Sequence, residues 1–177
     1  MIMIVFTDNK VDIIDLQNNK IKKVYKSRIE GTSYESEKEI HKRASDAGLA
    51  ARLYSDECND NQLVMEKLCQ LSSNDYDNLE KIKSLYERLE ELHDLGIYHG
   101  DIKIANIMKD DNGKIKLIDF EKAGYLNDAI SKQKKLDDYF ALKRDLMLHG
   151  GKKSQELLSQ IDELINLKIK LLLRAEK

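Results

Sequence analysis

The chain has 177 residues, enough for one domain or for two small lobes that share a cleft. Hydrophobic residues make up 41% and charged residues 35% of the sequence, a balance typical of a globular protein and not of a disordered one. The net charge of −2 gives no reason to predict binding to nucleic acid or to a membrane surface. No apolar run approaches the roughly 18 residues of a membrane span.

The start of the chain and its cysteines bear on location. Met1 to Phe6 is apolar but lacks the basic region, the long apolar core and the cleavage site of a signal peptide, so it is predicted to be a strand. Cys58 and Cys69 match no metal-binding spacing and are too few for a disulfide framework. Both are therefore predicted to be reduced thiols in a cytoplasmic protein.

The first half of the chain predicts a small sheet with one helix. The helix is expected from Ser33 to about Ala47, because Ser33 can cap it, glutamates follow in its first turn and Gly48 can end it. Short β-rich runs between Asp and Asn turns predict the strands, the first three as an antiparallel meander. The predicted strands are Ile2–Phe6, Val11–Leu16, Ile21–Lys26, Leu53–Tyr54 and Gln62–Leu68.

The second half is predicted to be mostly helical. Apolar residues from Leu79 to Leu92 recur at spacings of three and four, which predicts a buried amphipathic helix that ends at Gly96. Helix is predicted again from Asp137 onward, and a last helix over Ser154–Lys177. Residues 1–177 are thus predicted to form one α+β domain, with a β-rich lobe over 1–64, a connector over 65–70 and a helical lobe over 71–177.

Residues 99–121 carry the most informative pattern. Polar groups are concentrated in the loop from His99 to Asn106, which reads His-Gly-Asp-x-Lys-x-x-Asn. Two strands, Ile104–Met108 and Lys114–Ile118, are predicted to follow as a hairpin that ends in Asp-Phe. Such a hairpin brings two aspartates and one asparagine together. Carboxylate and amide oxygens are ligands that Mg²⁺ prefers, and a further carboxylate can accept the proton of a hydroxyl group.

A single aspartate at a turn or strand end would more often be a capping residue, but here the whole pattern has to be explained. It resembles the protein-kinase-like superfamily, whose catalytic loop reads His-Arg-Asp-Leu-Lys-x-x-Asn and whose metal-binding triplet reads Asp-Phe-Gly. The resemblance implies a two-lobed kinase fold that uses ATP and Mg²⁺. Asp101 would then be the catalytic base, Lys103 would contact the transferred phosphate, and Asn106 and Asp119 would hold the metal ion.

The resemblance also implies positions for the nucleotide phosphates. Val24-Tyr25-Lys26 is similar to the Val-x-Lys of the family's third strand, so Lys26 would hold the α- and β-phosphates. Glu37 lies where the family has the glutamate that pairs with this lysine. Lys23 is expected on the opposite face of the strand, because side chains alternate along it.

Two further segments extend the resemblance. Gln62–Leu68 is similar to the strand and hinge where adenine docks. Met65 would be the gatekeeper, and the backbone at Glu66 and Leu68 would meet the adenine. Asp137–Leu142 is similar to the buried helix that follows the activation segment.

Several departures suggest a minimal kinase with a reduced sheet and a truncated helical lobe. Residues 1–30 contain no glycine, so a turn over residues 7–10 takes the place of the family's Gly-rich loop. Gly100 replaces an arginine that normally pairs with a phosphorylated activation loop, so control by such phosphorylation is not expected. Glu121 replaces a glycine, and only fifteen residues separate it from Asp137. Comparable minimal kinases occur among bacterial effectors, viruses and small atypical kinases.

Three functions remain open from the sequence. The favoured one is a Ser/Thr protein kinase, because Lys103 is typical of that group. The second is a small-molecule kinase of the aminoglycoside or choline type, with which Gly100 and Glu121 agree. The third is a catalytically inactive binding module, since the Gly-rich loop is missing. The expected partners are a protein substrate and an activating protein, in the cytoplasm or, for an effector, in a host cell.

Overall fold

The computed structural model describes residues 3–26, 34–59, 61–76 and 78–149, together with the single positions 159, 163, 166 and 167. The strands are β1 Met3–Thr7, β2 Val11–Gln17, β3 Lys20–Tyr25, β4 Gln62–Glu66, β5 Cys69–Gln70, β6 Ile97–Tyr98, β7 Ile107–Lys109, β8 Ile115–Leu117 and β9 Gly124–Tyr125. The helices are α1 Tyr34–Asp46, α2 Ser73–Tyr76, α3 Leu79–Asp94 and α4 Ser131–His149. Single 3₁₀ turns lie at Ser55–Glu57 and Ile104–Asn106.

The N-terminal half forms a four-stranded antiparallel sheet in the order β1-β2-β3-β4. The predicted strand Leu53–Tyr54 is reduced to one bridge between Leu53 and Met65. Along β3 the buried side chains are Lys23 and Tyr25, which alternate with more accessible neighbours. This face of β3 lies toward α1, whose inner face includes Glu37.

The predicted helix from Leu79 is confirmed as α3, and its start has a clear cause. The Asn78 side chain accepts hydrogen bonds from the backbone N–H groups of Glu80 and Lys81, which caps the first turn. At the other end Gly96 adopts a φ of +76°, which favours glycine and ends the helix. The apolar face that the sequence predicts is buried against the main core.

The predicted hairpin is present as β7 and β8, although its first strand is shorter than expected. Ile104–Asn106 forms a 3₁₀ turn in place of strand, because the backbone N–H of Asn106 donates to Lys103 O and that of Ile104 donates to the Asp145 carboxylate. The tip of the hairpin is held by Asp110, whose carboxylate accepts from the backbone N–H groups of Asn112 and Lys114.

Helix α4 begins at Ser131, six residues before the predicted start at Asp137. The Asn127 side chain accepts from the backbone N–H groups of Ala129 and Ile130 and fixes the turn that leads into it. The helix predicted over Ser154–Lys177 lies outside the continuously described ranges. Among the described helices, none combines the length and the apolar character needed to cross a membrane.

Two apolar clusters account for the core of the described residues. The larger one joins α1, α3, α4 and the β7–β8 hairpin, and the smaller one lies beneath the N-terminal sheet. Apolar burial of this kind is the main favourable term in folding. The predicted class is confirmed, since the protein is α+β with a small antiparallel sheet and few helices.

Candidate active site

The loop between β6 and β7 places Asp101 beside Asn106. The Asn106 amide nitrogen donates to the backbone oxygen of Asp101 at 2.9 Å and to its Oδ2 atom at 3.3 Å. The 3₁₀ turn that ends at Asn106 makes this contact possible, because it brings the amide back over the loop. The amide therefore turns its oxygen away from Asp101, which is the orientation that a cation ligand requires.

A buried carboxylate on α4 holds the start of this loop. Asp138, 1% exposed, accepts from the backbone N–H of His99 and of Gly100, each at 2.8 Å. Its Oδ2 atom also lies 3.0 Å from Nε2 of His93 on α3. A buried carboxylate is costly unless it is hydrogen-bonded, and these donors satisfy it. The sequence placed Asp138 in a buried helix without predicting that it anchors the loop.

Asp119 and Phe120 follow β8 in an unusual backbone conformation. Asp119 has a φ of +66°, a left-handed conformation that is uncommon for a residue with a side chain. Phe120 is 1% exposed, and its ring packs against the rings of His41 and His99 at centroid distances of 5.3 and 5.0 Å. The burial of Phe120 directs the neighbouring Asp119 toward the sheet, where Lys23 meets it.

The two histidines around Phe120 are neutral in this arrangement. Each donates from Nε2 to a backbone oxygen, His41 to Ala51 at 2.9 Å and His99 to Ile118 at 3.1 Å. Nδ1 of His41 is buried without a hydrogen-bond partner among the described residues. Burial therefore lowers the pKa of His41 to about 4 and also lowers the pKa of His99.

The lysine that contacts the acidic residues is Lys23, so the predicted pairing of Lys26 with Glu37 is wrong. Nζ of Lys23 lies 2.8 Å from Oε1 of Glu37 and 2.8 Å from Oδ1 of Asp119. The Tyr25 hydroxyl donates to the second Glu37 oxygen at 2.5 Å. Burial alone would lower the pKa of Lys23, but the two carboxylates outweigh it and raise that pKa, which keeps the lysine charged.

Lys26 lies at the opposite face of the strand and is exposed. Its Nζ atom is 2.8 Å from Oδ1 of Asp12 and donates to the Thr7 hydroxyl and the Asp8 backbone oxygen. Lys23 and Tyr25 are the buried side chains of β3, whereas Val24 is more accessible, so the Val-x-Lys similarity points to the outer face. The sequence signal for Lys23 is a similar triplet of an apolar residue, any residue and lysine. It begins at Ile21, three residues before Val24.

Two lysines flank the Asp101 carboxylate. Nζ of Lys103 lies 2.7 Å from Oδ2, and Nζ of Lys122 lies 2.9 Å from Oδ1. Burial would raise the pKa of Asp101, but these hydrogen bonds and charges overcome it and lower the pKa to about 2. Asp101 is thus ionised at neutral pH. Lys122 was not identified from the sequence.

A partly accessible apolar surface lies next to the acidic cluster. Met65 is buried near the end of β4, and the partly buried side chains that pack around its cluster include Val11, Ile21, Leu68 and Ile118. They come from β2, β3, the segment after β4 and the segment after β8. Glu66 is tied back to Arg52, since its backbone N–H donates to Arg52 O and its carboxylate accepts from Arg52 N. An apolar surface of this kind suits a flat heterocyclic base.

The β1–β2 turn approaches the same region from the sheet. Asp8 accepts from the backbone N–H groups of Lys10 and Val11, each at 2.7 Å, which closes the turn locally. Lys10 is exposed, and its Nζ atom lies 3.4 Å from Oε1 of Glu121. This contact links the turn to the residue after Phe120.

The structure thus brings together most of the predicted polar site. Asp101, Lys103 and Asn106 share one loop, and Asp119 joins Glu37 through Lys23. The backbone N–H of Ile118 donates to Asn106 O at 3.0 Å, which sets Asn106 beside the residue that precedes Asp119. Among the described residues no group of three or more His, Cys, Asp or Glu side chains forms a metal cluster. An amide oxygen and one carboxylate can still hold Mg²⁺ when phosphate oxygens complete its shell.

Comparison with known proteins gives a family match over most of the chain. The sequence model of a family described as "Protein kinase domain" matches residues 20–141. This range includes Lys23, Glu37, the loop from His99 to Asn106, and Asp119.

Curated relatives match over shorter segments. The chain is 46% identical over 44 residues to Serine/threonine-protein kinase PSK2 of Saccharomyces cerevisiae, a match that covers 25% of this chain and 4% of the relative. It is 48% identical over 50 residues to Mitogen-activated protein kinase kinase kinase 1 of Arabidopsis thaliana, which covers 25% and 8% respectively. It is 49% identical over 39 residues to Hormonally up-regulated neu tumor-associated kinase homolog B of Xenopus laevis, which covers 22% and 6%. The matches thus span less than a tenth of the length of each of these relatives.

Proposed function

The chain belongs to the protein kinase family, and from this premise we propose that it transfers the γ-phosphoryl group of ATP to Ser or Thr hydroxyls of a protein substrate. The observation that carries the proposal is the contact set around two carboxylates. Asp101 is ionised and flanked by lysines, and Asp119 meets a buried lysine that Glu37 holds. Positioning and electrostatic stabilisation supply most of the rate in phosphoryl transfer, and this set provides both.

On this proposal Lys23, in place of Lys26, binds the α- and β-phosphates of ATP. The carboxylates of Glu37 and Asp119 both contact the Lys23 ammonium group and fix its position. Its charge is therefore not paired with one carboxylate alone. Asn106 and Asp119 would hold Mg²⁺, and the bound ion would neutralise charge on the phosphates. The turned amide of Asn106 supports this assignment, because its nitrogen is already used by Asp101.

The adenine is proposed to lie on the apolar surface around Met65. Backbone groups at Glu66 and Leu68 are proposed to meet its polar edge, and Val11, Ile21 and Ile118 to cover its faces. Contact of a flat base with apolar side chains gives affinity, while the backbone groups give orientation.

Asp101 is proposed to accept a hydrogen bond from the substrate hydroxyl and to orient its oxygen toward the γ-phosphorus. A carboxylate with a pKa of about 2 is a weak base, so its main contribution is orientation, and it takes the proton late in the step. Lys103 is placed to neutralise charge that develops on the transferred group, because it already contacts the same carboxylate.

The segment after Phe120 supports activity without phosphorylation of an activation loop. Strand β9 pairs with β6, and the Leu126 backbone N–H donates to Gly96 O at 2.7 Å. The Tyr125 hydroxyl donates to Glu39 on α1 at 2.7 Å. These contacts hold the segment against α1 and β6, and none of them needs a phosphorylated side chain. An activating partner protein and a cytoplasmic location remain part of the proposal.

The acceptor class can be tested with purified protein, labelled ATP and Mg²⁺, with and without a cell lysate. Asp119→Ala serves as the control that lacks a metal ligand, and Asp128→Ala serves as a control on an exposed aspartate of the same segment. Label on proteins supports the proposal. Label on small molecules supports the aminoglycoside- or choline-type alternative. Equal labelling with the wild type and Asp119→Ala would contradict the site, and label on neither class would favour a binding module.

A further inference from the structure

Gly100 and Lys122 are packed directly against each other. Gly100 has a φ of +76°, and a Cβ atom added there would lie 2.4 Å from the backbone oxygen of Lys122. No side chain can occupy that position without displacing the backbone after Phe120. The absence of a side chain at Gly100 therefore lets residue 122 lie over the loop that carries Asp101.

This packing brings a second ammonium group to the Asp101 carboxylate. Lys122 is 61% exposed, and its Nζ atom contacts Oδ1 at 2.9 Å. The other oxygen, Oδ2, is contacted by Lys103 and Asn106. Two lysines thus share one carboxylate, so this contact set carries one more positive than negative charge, and Lys122 is its more exposed lysine. The nearby Glu121 carboxylate acts on Lys122 only through space, because its ion pair is with Lys10.

We propose that Lys122 determines acceptor specificity and selects hydroxyl groups that have an acidic residue beside them. The inference rests on the proposed function, because it assigns an acceptor class to the same site. The hydroxyl must bond to Asp101, and Oδ1 has Lys122 as its contact, whereas Oδ2 is contacted by both Lys103 and Asn106. An acceptor that carries its own carboxylate can take over the Lys122 ammonium as it binds. With a neutral or basic acceptor, the Lys122 ammonium stays on Oδ1 and competes with the acceptor hydroxyl for that oxygen.

The test compares peptides of one length in which a central Ser is flanked by Asp, by Ala or by Arg. The quantity measured is the ratio of kcat/KM for the acidic peptide to that for the neutral one. For the wild type we expect a preference of about three- to fivefold, the size of one exposed ion pair, and a smaller preference at high salt. Lys122→Gln should bring the ratio close to one, chiefly through KM for the acidic peptide. Lys122→Arg should retain the preference.

Lys83→Gln is the matched control, because Lys83 forms an exposed ion pair with Glu80 on α3. It should leave the ratio unchanged. Equal kcat/KM for the acidic and neutral peptides, or a preference that survives in Lys122→Gln, would overturn the inference while phosphoryl transfer itself stands. Label on no peptide and on no lysate protein would overturn the proposed function instead, and the inference with it.

Discussion

The loop from His99 to Asn106 and the β1–β2 turn border the same proposed site but are held in different ways. The loop from His99 to Asn106 is fixed by partners far away in sequence, above all the buried Asp138 on α4. The turn from Thr7 to Lys10 is exposed and is held mainly by the neighbouring Asp8 and by Lys26. Long-range burial keeps the groups proposed for the chemical step in place, whereas local contacts position the turn proposed to cover the phosphates. Changes in the loop should therefore reduce turnover, and changes in the turn should reduce nucleotide affinity.

The strongest test of this contrast lies in and directly after β3, because Lys23 faces the loop side and Lys26 the turn side. Lys23→Met should lower the turnover number about a hundredfold, since it removes a buried charge from the proposed phosphate site. It should also destabilise the fold by about 3 kcal/mol, because Glu37 loses a buried partner. Lys26→Met should lower turnover less than about threefold. Steady-state kinetics and urea unfolding of both variants measure this, and equal losses would refute the assignment to Lys23.

A smaller effect is expected where the loop is anchored. Asp138→Asn replaces an acceptor oxygen by an amide nitrogen, so at least one loop N–H loses its partner. We expect turnover to fall about tenfold and stability to fall by about 2 kcal/mol. Asp137→Asn, on the exposed neighbour, is the control for charge. If Asp138→Asn retains full turnover and stability, Asp138 does not anchor the loop.

The support beneath the loop should respond to pH. His41 has a folded pKa of about 4, below the value of roughly 6.5 in an unfolded chain, so the unfolded state takes up the proton first. Its contribution is complete above about pH 6.5 and is lost as the pH falls toward 4. Between pH 7 and 5 the loss should be about 2 kcal/mol. In His41→Gln the unfolding free energy should depend less steeply on pH over this interval, and an unchanged slope would exclude His41 as its source.

The smallest effect is expected in the turn. Lys10 is exposed and lies 3.4 Å from Glu121, so it would contribute only a screened charge near the proposed phosphate site. Lys10→Ala should raise KM for ATP about two- to threefold and leave turnover nearly unchanged. Lys42→Ala, on the exposed part of α1, is the matched control. A loss of turnover larger than that of Asp138→Asn would reverse the proposed division between turn and loop.

The sequence predicted the elements with regular periodicity and strong turn residues. Helix α3, the β7–β8 hairpin and the small antiparallel sheet were all expected from such local signals. The loop motif also identified residues that the structure brings together, because its spacing reflects one short connected segment.

Contacts between distant segments could not be predicted in the same way. Which lysine contacts Glu37 depends on which face of β3 packs against α1, and a shift of one residue exchanges the two faces. The anchoring role of Asp138 depends on how α4 packs against the loop, and the position of Lys122 depends on close contact with Gly100. These facts arise from tertiary packing, which leaves no periodic signal in the chain.

In the proposed function, Asp101 orients the acceptor hydroxyl for transfer of the γ-phosphoryl group. The direct measurement is the single-turnover transfer rate from labelled ATP for the wild type and for Asp101→Asn, with ATP affinity determined in parallel. Asn keeps the shape of the side chain but removes the charge that Lys103 and Lys122 contact. We expect the transfer rate to fall by at least about a hundredfold while ATP affinity stays nearly unchanged. A well-folded Asp101→Asn protein with the wild-type transfer rate would contradict the account.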